Sequence, residues 1–231
     1  MIEILALSRQ LTRRLVRYLM PALKMGQGQQ LDLFGPNPQW QAQLNPMLAL
    51  LDALITDDQA MSEAWRATQQ LDRVQYAKWQ ELSKRLGVPA TRGVLEQAAL
   101  EDRARELAKY IKDIPTKLSS DVAQQVLLAR AQGMSTVDLG KLISERTGIA
   151  QRRAALIARD QLGTLNGELS KRRQLAAGIT KYRWQTARDE RVRPSHRNVQ
   201  GQVFSWEAPP EMGHPGEPIN CRCVALPVLD D

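Results

Sequence analysis

Cysteine and histidine are nearly absent from this chain, with two of each in 231 residues. Two cysteines separated by one residue cannot build a disulfide framework. A bridge between Cys221 and Cys223 would also close a short, strained ring, so reduced thiols in a cytoplasmic setting are expected. Aromatic residues reach only 5%. No uninterrupted apolar run approaches the roughly 20 residues that a membrane helix needs, and no membrane partner is expected. The stretch from Met1 to Arg14 mixes acid and base where a signal peptide needs a basic start and a clean apolar core. That argues against secretion. What remains, 43% hydrophobic and 25% charged, is ordinary for a globular protein. The length suits one domain with a large appendage or two modest ones.

The scarce residues sit together. All four fall in one C-terminal stretch with the spacing His196-x17-His214-x6-Cys221-x-Cys223. Two imidazoles and two thiolates are the ligand set of a closed, four-coordinate zinc site, so one structural Zn²⁺ held by His196, His214, Cys221 and Cys223 is one reading. Residues two apart on a strand share a face but stand far apart for one ion. A bend at Arg222 is therefore required. Pro215, Gly216 and Pro218 supply a rigid turn before the cysteines. The other reading is a metal-free polar staple, with small buried cysteines and histidines hydrogen-bonded to neighbours such as Asp189. A closed site would add metal-binding free energy to a sheet too small to hold itself together. It would leave no open position for catalysis.

Charge is uneven as well. Lys171, Arg172, Arg173, Lys181, Arg183, Arg188, Arg191, Arg193 and Arg197 are opposed locally only by Asp189 and Glu190. Nine minus two is seven, the whole net charge of +7. Such a block suits an acidic partner, either nucleic acid or a negative protein face. The candidate contacts are Lys171, Arg172, Arg173, Arg183, Arg188, Arg191, Arg193 and Arg197. A solvated basic surface without a partner is the plain alternative.

The pattern along the chain predicts an α+β fold dominated by helix, with a helical region over 1–115 and helices on a small irregular sheet over 116–231. Residues 2–25 have helical apolar spacing opposite Arg9, Arg13, Arg14 and Arg17, suited to packing on the protein itself or lying on a partner or membrane surface. Residues 26–38, rich in Gly, Gln and Pro, read as a loop or linker. Trp40, Trp65 and Trp79 follow as core anchors of helices. Gly87-Val88-Pro89 breaks that region, and a charged helix over 94–113 is expected to stop at Pro115. A helix over 119–132 should end at Gly133. One over 136–147 should start from a Ser135/Asp138 capping box and end at Gly148. A third, over 150–177, carries the stripe Ala154, Ala158, Leu162, Leu165, Leu169 and Ala176 and closes at Gly178. Strands are expected at 179–186, with Tyr182 and Trp184 on one face, at 203–206, and at 223–228, where Pro227 marks an edge.

Residues 118–228 resemble the phage head morphogenesis proteins related to protein F of bacteriophage Mu. The resemblance runs through "LLARAQGMSTVDLGKLISERTG", "ALIARDQLGTLNGE", "YRWQTARDERVRPSHRNVQGQVF" and "HPGEPINCRCVALPV". Its most specific part is Trp184, then Asp189 to His196, Gly201, His214-Pro215 and Asn220-Cys221-Arg222-Cys223. At Ile157-Ala158-Arg159-Asp160 the chain departs, since the family often has threonine and glutamate after this arginine. The resemblance implies a minor capsid component of a tailed double-stranded DNA phage or prophage, acting in procapsid assembly beside the portal. Portal and capsid or scaffold proteins would be its partners, with contact to double-stranded DNA in some members. Its place would be the capsid interior and the host cytoplasm. Two other functions compete with this non-enzymatic one. A nuclease could use His196 and His214 as acid and base, with Arg193 or Arg197 stabilising the transition state. It would lack the carboxylate cluster that magnesium needs. A stand-alone nucleic-acid-binding protein fits the electrostatics but has no reading motif.

Overall fold

The structure is a computed structural model that describes residues 40–90, 92, 95–131 and 136–229. Expectations for residues 2–25, 26–38, Gly133 and Ser135 lie outside the described residues. The described elements run α1 (Trp40–Asp52), α2 (Asp57–Leu86), α3 (Leu95–Ala131), α4 (Thr136–Ala176), β1 (Lys181–Gln185), the short α5 (Pro194–Asn198), β2 (Val203–Ser205) and β3 (Val224–Val228). The fold is α+β and mostly helical, as expected. No described helix is long and apolar enough to cross a membrane.

Two expected helix stops fall elsewhere. Pro115 lies inside α3, and Gly148 lies inside α4. Proline removes a hydrogen bond and clashes with the preceding turn at a cost of about 3 kcal/mol, and glycine costs about 1 kcal/mol. Burial on both sides outweighs these penalties. Ile111, Ile114, Leu118 and Val122 flank Pro115 at helical spacing, each no more than 3% exposed. Ala150, Ala154, Ala158, Leu162, Leu165 and Leu169 carry α4 past Gly148 as one buried stripe. Fully burying a leucine or isoleucine is worth about 1.5–3 kcal/mol, so either stripe exceeds its local defect. Ala176, the last member of the expected stripe, is exposed.

Other boundaries follow local chemistry. Thr56 and Gln59 form a reciprocal capping box at the start of α2 (2.9 and 3.2 Å). At the end of α4, Gly178 has φ +79°. The Gly178 N–H donates to Leu175 O, and the Ile179 N–H donates to Gln174 O. That pair closes the helix in a Schellman motif.

The described residues divide into two compact units. One comprises 40–63 and 107–157, and the other 64–106 and 158–229. The first has a core of Leu51, Ile55, Leu107, Ile111, Ile114 and Leu118. It is tied by Lys112 Nζ donating to Ile55 O and Ser119 Oγ to Leu48 O. The second holds every candidate site residue. There Trp79 is buried and Trp65 half-buried. Asp72 and Glu96 enclose Arg173, which is 2% exposed.

The sheet has the order β2-β1-β3, antiparallel throughout. Tyr182 and Trp184 point to one face and are fully buried. Pro227 sits on an outer strand, as expected of a residue without an N–H. Near it, Ala225 O accepts from Gln174 Nε2 at 3.0 Å, which occupies one backbone acceptor of this edge.

Candidate metal centre

Helix α4 forms the floor of the site through two glycines. A Cβ on Gly167 would lie 2.4 Å from Pro215 O and 3.2 Å from Gly216 Cα, and one on Gly163 would lie 3.3 Å from Cys221 O. Gly216, at φ +99°, in turn approaches Gly163 O and Gly167. The loop therefore rests backbone to backbone on the helix, which only glycine permits. Thr164 Oγ1 donates to Gly216 O at 3.1 Å, and Asp160 accepts the Asn220 N–H at 2.5 Å. Asn220 has φ +55°, a conformation asparagine tolerates better than most residues. It delivers Cys221 into the interior.

The Cys-x-Cys segment precedes β3 instead of belonging to it. Both sulfurs then meet one imidazole. His196 is buried on α5 while its neighbours Ser195 and Arg197 are exposed. Its Nδ1 lies 3.4 Å from Cys223 Sγ and 3.7 Å from Cys221 Sγ. A tetrahedral zinc with N and S ligands at about 2.0–2.1 and 2.3 Å separates them by about 3.6 Å. All three donor atoms lie within 4.8 Å of one another, and all three residues are buried. The donor set fits a metal ion.

The electrostatics agree with the geometry. The hydrogen bond from Cys223 brings the Cys221 thiol down to about 6, against the opposing effect of burial, with the backbone N–H of Gly216 and Cys223 and the His196 ring helping. The hydrogen bond to Cys221 and burial push the Cys223 thiol up. The pair thus gives up one proton readily and keeps the second. A bound cation is what would release it.

Outer contacts hold the cysteine loop. Arg193 Nη2 donates to Ile219 O at 2.6 Å, and Arg222 makes a bidentate ion pair with Asp189. Trp184 packs edge-on against His196, with ring centroids 5.5 Å apart at 82°. Sequence reasoning anticipates none of these partners. Asp189, expected beside the histidines in the metal-free staple, is paired to Arg222.

His214 corrects the expected quartet, because it does not join the other three donors. Its Nδ1 lies 2.9 Å from Tyr182 Oη, and its ring packs against Tyr182 and Trp206. Burial first, then the Lys171 charge, lowers its affinity for protons, against opposing effects of Glu217 and the Trp206 backbone. Burial, then the Glu217 charge, pushes the Tyr182 phenol up. Tyr182 Oη and His214 Nδ1 are thus hydrogen-bond partners inside the buried cluster. His196 and His214 serve different partners.

The basic block also separates. Arg173 is a core cation. Its Nη2 lies 2.5 Å from Asp72 and 3.4 Å from Glu96, so it faces no outside partner. Arg172 pairs with Glu168, which Arg103 also holds. Lys171 lies 5.8 Å from the Trp206 ring centroid, in a cleft of about 420 Å³ that Arg103 and His214 also line. Arg183, Arg188, Arg191, Arg193 and Arg197 are exposed. Arg183 and Arg197 donate to the carbonyls of Gly201 and Val192.

Fold and site together define a small helix-backed sheet module that gathers buried nitrogen and sulfur donors. Residues 120–226 match the family described as Phage Mu protein F like protein. A Haemophilus influenzae protein described only as uncharacterized is 41% identical over 124 residues, covering 53% of this chain and 28% of that protein. An Enterococcus faecalis protein named NAD(+)--arginine ADP-ribosyltransferase EFV is 22% identical over 142 residues, covering 54% of this chain and 29% of its own length. The chain thus spans less than a third of either relative. No solved structure matches.

Proposed function

We propose that this protein is a minor head-morphogenesis component of a tailed double-stranded DNA phage or prophage, acting in procapsid assembly beside the portal. In this reading residues 116–231 are the family's domain, and residues 1–115 are a variable region. The carrying observation is the match over residues 120–226 on a module whose three donors are all buried. Burial suits a structural zinc that fixes the loop and not a metal that meets substrate, so the role is assembly without turnover. The ion would be held by His196, Cys221 and Cys223, with a fourth ligand other than His214. The site would lie in the virion interior and, before assembly, in the host cytoplasm.

The test is co-sedimentation of the tagged full-length chain with procapsids purified from an induced lysogen. Enrichment in portal-containing particles is expected. A protein found only in the free fraction would contradict the reading. Contact with DNA, where it occurs, falls to the exposed Arg188, Arg191, Arg193 and Arg197. Replacing Arg188 and Arg191 should flatten the log–log salt dependence of DNA binding by about one unit each.

A further inference from the structure

The sheet sorts its side chains by type. Tyr182, Trp184, Phe204 and Trp206 all join the buried cluster beneath it. On the opposite face one cross-strand row reads Val203–Arg183–Leu226, the next Ser205–Lys181–Val228, and the third sets Gln185 opposite Val224. Val203 is 43% and Leu226 41% exposed, and Lys181 and Arg183 are exposed between the outer strands. No carboxylate belongs to any of these rows. Leu226 also borders a cleft of about 250 Å³ shared with Trp79, Leu82 and Pro227.

We propose that this face docks an acidic amphipathic helix of a partner protein. Phosphates reward cations alone, so aliphatic rows on both sides of Arg183 add nothing for DNA. Base stacking needs aromatic rings, and here every ring of the sheet points inward. A positive centre between aliphatic flanks instead complements a segment that carries carboxylates beside apolar side chains. The dimensions agree. Three strands about 4.8 Å apart give a face about 10 Å wide, the diameter of one helix. The exposed Arg183 head, which donates to Gly201 O through Nη1, is the cation that reaches carboxylates at the helix border. This surface uses neither the metal centre nor Arg188 to Arg197, so it stands or falls apart from the assembly reading.

The experiment uses the full chain and two labelled synthetic helices of about five turns. Both have the same leucine stripe, with glutamate on the polar face of one and lysine on that of the other. A short DNA duplex is the third probe, and binding is read by fluorescence anisotropy. The acidic helix should bind at least about tenfold tighter than the basic one. Arg183→Glu should remove that preference, and Val203→Ser with Leu226→Ser should weaken the acidic helix about tenfold, a difference of about 1.4 kcal/mol. Duplex binding should be unchanged in the serine variant. Thermal melts check that each variant folds, as expected of exposed positions. Equal binding of both helices, or acidic-helix binding that survives both variants, overturns the proposal. Loss of duplex binding in the serine variant also overturns it and assigns the face to nucleic acid.

Discussion

His196 and His214 are both 4% exposed and belong to the same short C-terminal region, yet they do different jobs. His196 meets two sulfurs across an interior gap of metal-site size. His214 meets a phenol and packs on an indole in a network that needs no ion. One histidine fits a cross-link made by a metal, and the other makes a cross-link by hydrogen bond. A cluster of scarce residue types thus shows where a site lies without showing which members share it. Backbone placement decides the membership. His214 begins the turn that lies on Gly163 and Gly167, while the cysteines follow it and turn back towards α5.

The comparison can be broken from its strongest side first. Cys223→Ser should abolish metal binding and cost more than about 4 kcal/mol, the class of loss that follows removal of a structural metal. Metal content by elemental analysis and a thermal melt read both effects. Next comes the cation that the basic block hides. Arg173→Ala removes the buried cation that Asp72 and Glu96 share, leaves Asp72 with Arg92 at 3.2 Å, and should cost up to about 3–5 kcal/mol in chemical denaturation. Gly167→Ala forces a Cβ against Pro215 O and should cost about 1–3 kcal/mol. It should also lower metal affinity, since the same loop carries the cysteines; a melt paired with metal titration checks both. The smallest effect belongs to the phenol–imidazole bond. Tyr182→Phe leaves the buried His214 Nδ1 unpartnered and should cost about 1–3 kcal/mol, with metal content unchanged. Metal loss in Tyr182→Phe would merge the two histidines into one site.

Some of this is legible in the sequence through rules that act locally. Gly178 ends α4 because a left-handed residue must close a Schellman motif, and a glycine just past a helical stripe signals that stop. Tyr182 and Trp184 show a two-residue period, so their common face is legible too. Helix breaks at Pro115 and Gly148 are the wrong expectation because a local penalty says nothing of the buried stripes that override it. The floor of the site escapes for a related reason. Gly163 and Gly167 are four apart on one helix face, a usable signal of close backbone approach, but nothing local says that Pro215 and Gly216 are what approaches. Arg173 counts among contacts for an outside partner on charge alone, which does not reveal the burial of Asp72 and Glu96 around it. His214 and Asp189 meet their actual partners, Tyr182 and Arg222, through pairings that no spacing rule predicts.

The central claim is that His196, Cys221 and Cys223 hold the metal and His214 does not. X-ray absorption spectroscopy on the zinc-loaded full chain tests it directly. The account predicts one zinc per chain with two sulfurs and one imidazole from the protein, unchanged in His214→Ala and lost in His196→Ala. A shell containing two imidazoles, with one disappearing in His214→Ala, would contradict it.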